Sequence, residues 1–247
     1  MIALAPSTLA PSATALRVKL FADGADLDSL VALARDSAIA GFTTNPTLMR
    51  KAGVADYAAF AREVLAVVPD RPISFEVFAD ELVEMHRQAM LIAGWGSNVF
   101  VKIPVTNTRG QSTSPLLRVL SREGVRLNVT ALMTLAQVSA VTDALASGPH
   151  CYVSVFAGRI ADTGRDPVPL MREAARIVER RPRTELIWAS PREVLNVYQA
   201  DEAGCHVITA TPDILAKLAL AGKDLDEYSL DTVKMFHRDA ESAGYAL

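Results

Sequence analysis

Two cysteines in 247 residues, Cys151 and Cys205, are too few for a disulfide framework, and their spacing fits no metal motif. Both precede apolar runs, which favours buried reduced thiols over catalytic ones. The histidines, His86, His150, His206 and His237, also lack metal-ligand spacing and read as surface or strand-end residues. No apolar run reaches the ~18 residues needed to span a membrane. Positive charge is not in surplus: the formal net charge of −3 argues against a nucleic-acid-binding face. Low-complexity tracts and long linkers are missing too, so nothing divides the chain. The start, residues 1–15, is rich in Ala, Pro and Ser without the basic stretch of a signal peptide, and a flexible arm on a cytoplasmic protein is expected. Lysine is scarce: only six of the 25 Lys and Arg residues are lysines, which leaves few amines as nucleophiles.

What is present is apolar and regular. Half the residues are hydrophobic, enough for a large core. Short strand-like runs recur at Val18–Ala22, Gly41–Thr44, Ile73–Phe78, Val99–Val105, Arg126–Leu132, Tyr152–Ala157, Glu185–Ala189 and His206–Thr209. Between them lie stretches with helical periodicity. Leu27–Ile39 carries Leu27, Leu30, Val31, Ala34 and Ala38 on one face, Tyr57–Val68 stops at Pro69, Asp80–Ile92 is closed by Gly94, and Pro167–Glu179 opens with prolines. Eight alternations predict parallel strands joined by crossover helices, an α/β fold of the (β/α)8 TIM-barrel kind over residues 16–224. A doubly wound open sheet is the alternative. Residues 225–247 read as one further helix and tail, able to pack on the barrel or on a neighbouring subunit, and a homo-oligomer is expected.

In such a barrel, chemistry sits at the C-terminal strand ends. The polar residues there are Asp23, Thr43 and Asn45, Glu76, Lys102, Asn128 and Thr130, Ser154 followed by Arg159, and Ser190 followed by Arg192. A strand's period of two puts Thr43 with Asn45, Asn128 with Thr130, Ser154 with Phe156, and Glu76 with Ser74 and Phe78 on shared faces. Lys102, inside Val99-Phe100-Val101-Lys102-Ile103-Pro104-Val105, is costly to bury unless it has a partner or a task. One reading is a structural ion pair with Glu76 or Asp23; the other is an amine that attacks a ketone, with two carboxylates beside it to move protons. Arg159 and Arg192 read either as surface salt-bridge partners or as a phosphate clamp. Arg109, in the polar segment 106–114, reads as facing water more readily than as reaching the site.

Gly41-Phe42-Thr43-Thr44-Asn45-Pro46-Thr47-Leu48 resembles the threonine-asparagine-proline signature of transaldolases, and Val101-Lys102-Ile103-Pro104-Val105-Thr106 resembles their Schiff-base strand. Asn128-Val129-Thr130-Ala131, Ser154 to Ile160 and Ala189-Ser190-Pro191-Arg192 resemble three further segments, in family order. The resemblance implies an imine on Lys102, Asp23 as the base for carbon–carbon cleavage, and a water held by Glu76 and Thr130. It also implies that Asn45 and Asn128, with Thr43 and Ser154, bind substrate hydroxyls, and that Arg159, Ser190 and Arg192 hold a phosphate. Sugar phosphates are the implied substrates, with no metal and no organic cofactor. Within the compact branch, the similar fructose-6-phosphate aldolases carry glutamine at the place of Glu76 and tyrosine at that of Phe156, so transfer to an acceptor is expected over simple release of dihydroxyacetone. Met133 stands where many relatives carry an aromatic residue, which bears on the acceptor pocket. A phosphosugar-binding barrel without catalysis is the reading from another class, and the joint presence of Lys102, Asp23, Glu76 and Thr130 weighs against it.

Overall fold

The computed structural model describes residues 16–145 and 148–246, so the arm expected over residues 1–15 lies outside it. Eight strands occur in order: β1 (Lys19–Asp23), β2 (Ile39–Thr43), β3 (Ile73–Glu76), β4 (Val99–Pro104), β5 (Leu127–Leu132), β6 (Cys151–Val155), β7 (Thr184–Trp188) and β8 (Val207–Ala210). Each pairs in parallel with the next, and β8 pairs back onto β1, Lys19 opposite Val207 and Ala22 opposite Ala210. That last ladder closes the barrel and removes the open-sheet alternative. The helices are α1 (Leu27–Ala34), α2 (Pro46–Lys51), α3 (Tyr57–Val67), α4 (Leu82–Ala93), α5 (Ser114–Arg122), α6 (Leu135–Ala144), α7 (Ala157–Ala161), α8 (Val168–Val178), α9 (Leu195–Glu202), α10 (Pro212–Ala216) and α11 (Leu225–Ala243), with a 3₁₀ helix at Lys217–Leu220.

Strand alternation sorts the core into two parts. Outward-facing Val101, Ile103, Val129, Val153, Leu186 and Ile208 are fully buried in the layer between barrel and helices. Inside, Phe21, Phe100, Tyr152, Ile187 and Val207 form a separate apolar plug. Its rings pack at an angle to one another, Tyr152 tilted against Phe100 at 4.6 Å and edge-to-face with Phe21 at 5.6 Å between centroids. Gly41 opposite Phe21 leaves the space for this: a Cβ there would sit 2.5 Å from the ring. Two residues earlier on their strands, towards the N-terminal end, Lys19 and His150 both contact Glu185, at 2.6 and 2.8 Å. Two residues after the plug the inward positions on β1, β4, β6 and β8 are polar, Asp23, Lys102, Ser154 and Thr209, and the site begins there.

Several boundaries differ from the sequence expectation for identifiable reasons. The helix expected over Leu27–Ile39 stops at Ala34, where the Arg71 guanidinium takes the carbonyls of Ala34, Asp36 and Ile39, and Ile39 instead opens β2. Asp80 does not begin α4; its carboxylate accepts hydrogen bonds from the Thr108 amide and hydroxyl at 2.7 and 2.8 Å. β3 ends at Glu76, so Phe78 does not share its inward face and is 64% exposed. α11 buries none of its residues, so packing on its own barrel is not what the structure shows. Among the described residues, no helix is long and apolar enough to cross a membrane. Both cysteines are free and buried.

Candidate active site

At the C-terminal end of the barrel, a cavity of about 460 Å³ is lined by Asp23, Thr43, Asn45, Glu76, Lys102 and Thr130, and on another side by Ser154, Phe156, Arg159, Ser190 and Arg192. Lys102 is 6% exposed and is the one lysine lining it. It enters because β4 places Phe100 in the plug and Lys102 one inward step higher, paired across the ladder with Glu76. The Lys102 Nζ lies 3.2 Å from Glu76 Oε2 and donates to the Thr44 carbonyl at 3.0 Å. Asp23, at the end of β1, accepts from the Thr43 hydroxyl at 2.8 Å. Burial pushes the Asp23 carboxyl above the ordinary carboxylate range; Lys102 and the Thr43 hydrogen bond pull it back in part, and the nearby Glu76 charge adds to the rise. Such a carboxylate accepts a proton more readily than an exposed one. The Thr130 hydroxyl is buried and has no hydrogen-bond partner among the described residues.

Beneath this layer runs a chain of neutral groups. Asn128 donates to the Ser74 hydroxyl at 2.9 Å and accepts from the Ser154 hydroxyl at 2.7 Å. Asn128 is fully buried and does not line the cavity, whereas Ser154 does. Its position therefore differs from the expected direct contact with substrate: it holds Ser154 from below. Asn45 lines the cavity while its side-chain oxygen caps α2 at the Leu48 amide, 3.0 Å away.

The opposite wall joins the loops after β6 and β7. Gly158 presses on the Ser190 backbone so closely that a Cβ would lie 1.5 Å from the Ser190 carbonyl oxygen. Glycine at this place lets the two loops interlock, which brings Arg159 and Arg192 to one wall. Arg159 lies over the Phe156 ring, 5.6 Å from its centroid. Arg192 makes a two-point contact with Asp162, Nε to Oδ1 at 2.9 Å, and this guanidinium holds the Asp162 carboxyl below the usual range. Ser190 and Ala131, both on the cavity wall, adopt left-handed backbone conformations with φ of 61° and 65°. Non-glycine residues accept that geometry at a cost of roughly 1–2 kcal/mol, and they cluster at functional sites.

Two positions singled out in the sequence lie elsewhere. Arg109 is not on the cavity wall; it pairs with Asp80 at 3.2 Å and Glu81 at 2.8 Å. Met133 does not line the cavity either. Conversely, Thr209 was not anticipated, yet its hydroxyl meets that of Thr43 at 2.6 Å and it lines the cavity. The period of two along β8, Val207 then Thr209, is the signal that could have found it.

The sequence profile of the transaldolase/fructose-6-phosphate aldolase family matches residues 20–247. The chain belongs to this family. Its family relatives include a protein of Dehalococcoides mccartyi described as a probable transaldolase, 33% identical over 81% of this chain and 90% of the relative. A probable transaldolase of Streptococcus equi subsp. zooepidemicus is 34% identical over 81% and 90% of the two chains. These relatives make this family member an enzyme of the transaldolase type. Among solved structures, 2,3-dimethylmalate lyase of the PEP mutase/isocitrate lyase superfamily superposes with a TM-score of 0.51 over 94% of this chain and 86% of the other. At 15% identity the likeness concerns the barrel alone.

Proposed function

We propose that the enzyme transfers a dihydroxyacetone unit from a ketose phosphate, such as fructose 6-phosphate or sedoheptulose 7-phosphate, to an aldose phosphate, through a Schiff base on Lys102. The observation that carries this reading is one buried lysine on the cavity wall, ion-paired with Glu76, with Asp23 lining the same cavity. Lys102 Nζ adds to the ketone carbon, and loss of water gives the imine. Asp23 takes the proton of the hydroxyl two carbons further along. The carbon–carbon bond breaks, the aldose phosphate leaves, and its electron pair remains as an enamine on Lys102. The enamine attacks an acceptor aldehyde, Asp23 returns the proton, and water releases the new ketose phosphate.

Glu76 and the unpartnered Thr130 hydroxyl fit a water that shuttles protons during imine formation and hydrolysis. Thr43, Asn45 and Ser154, the last held by Asn128, would bind the hydroxyls of the three-carbon unit. Ser190, Arg159 and Arg192 would take the phosphate; the Asp162 contact uses Nε and Nη2 of Arg192 and keeps Nη1 available. Phe156 offers no hydroxyl to direct water onto the enamine, which favours transfer over release of free dihydroxyacetone.

Reduction with borohydride in the presence of fructose 6-phosphate is expected to add the three-carbon unit to Lys102 alone, read by peptide mass spectrometry. An adduct on Lys51 or Lys217 with Lys102 untouched would sink the assignment. In a separate turnover assay without reductant, release of free dihydroxyacetone from the donor alone as fast as transfer to an added aldose phosphate would replace it with the aldolase reading. The substrates fit the pentose phosphate pathway, and the cytoplasm is the proposed location. A homo-oligomer is proposed as well: Leu230, Val233 and Phe236 of α11 are 53%, 60% and 62% exposed, an apolar stripe for a second copy to cover. Light scattering is expected to give a multiple of 26.5 kDa, and a monomer at all concentrations rejects the proposal.

A further inference from the structure

The β2–β3 ladder stops just before the site. The Phe42 amide donates to the Pro72 carbonyl and the Thr44 amide to that of Ser74, at 2.8 and 3.2 Å. Parallel strands advance by two residues per bond, so the next donor would be residue 46, and it would reach the Glu76 carbonyl. Residue 46 is proline, the first residue of α2, and has no amide hydrogen. On the return side, the Thr44 carbonyl would be next to accept from the Glu76 amide, but it accepts from Lys102 Nζ instead, at 3.0 Å. The backbone of Glu76 thus loses both ladder partners where its side chain must stay opposite Lys102.

A single side chain replaces both. Tyr57, at the start of α3, donates its hydroxyl to the Glu76 carbonyl and accepts from the Glu76 amide, each at 2.8 Å. Its ring is fixed by edge contacts with Phe75 and Phe78, at 6.3 and 5.6 Å, and by a tilted contact with Trp95 at 5.6 Å. The phenol therefore stands in for the strand that β2 has ceased to be. Without it, the Glu76 amide would compete with Lys102 for the Thr44 carbonyl.

We infer that Tyr57 is a positioning residue for the reaction: its hydroxyl holds the Glu76 backbone in register and leaves the Thr44 carbonyl to Lys102. This rests on the proposed role of Glu76 in proton transfer. Tyr57 itself touches no substrate; it does not line the cavity. Its effect is on the alignment of groups already bound to one another, so it appears in turnover rather than in substrate affinity.

The test is a double-mutant cycle with Tyr57→Phe and Glu76→Gln, measuring kcat and KM for transfer. Tyr57→Phe removes one oxygen and keeps the ring, and is expected to lower kcat about ten-fold with KM unchanged, as small misplacements of reacting groups do. Because Tyr57 acts through the Glu76 side chain and, by way of the Thr44 carbonyl, through Lys102, the double variant should lose less than the product of the two single losses. Trp95→Phe is the packing control: it loosens the same ring cluster and is expected to lower Tm while leaving kcat intact. Wild-type kcat in Tyr57→Phe overturns the inference, as does a double variant whose loss is the product of the two single losses. A kcat loss in Trp95→Phe equal to that of Tyr57→Phe does the same. If Glu76→Gln itself keeps wild-type kcat, the role of Glu76 fails first, and the positioning role falls with it.

Discussion

Asp23 is the residue whose environment makes the sharpest statement about pH. A base works only when ionised, and burial raises this carboxyl above the ordinary value, so activity should fall on the acid side at a higher pH than an exposed aspartate would give. Thr43 counters the shift through its hydrogen bond. Thr43→Val removes that bond and adds an apolar group, and both changes favour the neutral acid. The acid limb of the kcat/KM profile should therefore move further up in pH; a limb that stays in place or moves down rules out Asp23 as the titrating base. Much of this layer was legible in the sequence. The period of two along β4 and β5 put Lys102 and Thr130 inside, and both line the cavity. Depth was less legible. Asn128 follows the same period but sits one layer lower, because Ser74 and Ser154 occupy both ends of its amide. The partnership of Tyr57 with Glu76 joins residues 19 apart through a phenol and a backbone, and no local pattern announces it.

At the scale of elements, the interlock of the β6 and β7 loops puts two arginines on one wall, and each should matter for phosphate. Arg159→Ala or Arg192→Ala is expected to raise KM for phosphorylated substrates by roughly ten- to a hundred-fold, the worth of a charge-assisted hydrogen bond. Free dihydroxyacetone should be affected much less. Equal losses on both kinds of substrate in steady-state kinetics would point to a structural role. The sequence showed each arginine following its strand, but the contact that brings the loops together is between Gly158 and the Ser190 carbonyl, 32 positions apart. The alternation of eight strands and their helices was legible because each strand buries an apolar outer face. Boundaries were misjudged where tertiary contacts overrule periodicity. Apolar spacing carries the first helix on to Ile39, but Arg71 closes it at Ala34 from across the β2–β3 connection. Apolar residues likewise extend β3 to Phe78, beyond the point where β2 turns away into α2.

For the whole molecule, the two ends of the barrel divide their tasks. At the N-terminal end, burial works to raise the Glu185 carboxyl, but hydrogen bonds and charge from His150 and Lys19 outweigh it and hold the group at about 2, against an ordinary 4.5. A depressed carboxyl contributes stability above its unfolded value and loses it as the pH falls through the folded one. Glu185→Gln should thus lower Tm at neutral pH, with the gap to wild type closing between pH 4.5 and about 2. A gap that is constant over that window, measured by thermal melts, would falsify a role for the charge. Between this ion cluster and the cavity stands the plug of Phe21, Phe100 and Tyr152. Its consequence is one of traffic: with the bottom of the barrel filled, whatever enters the cavity must leave by the mouth through which it came. A departing aldehyde and an arriving one then share a single doorway, so the first must be gone before the second can dock. The steady state should accordingly show parallel lines in double-reciprocal plots, and the first product should inhibit by competing with the acceptor for the charged enzyme.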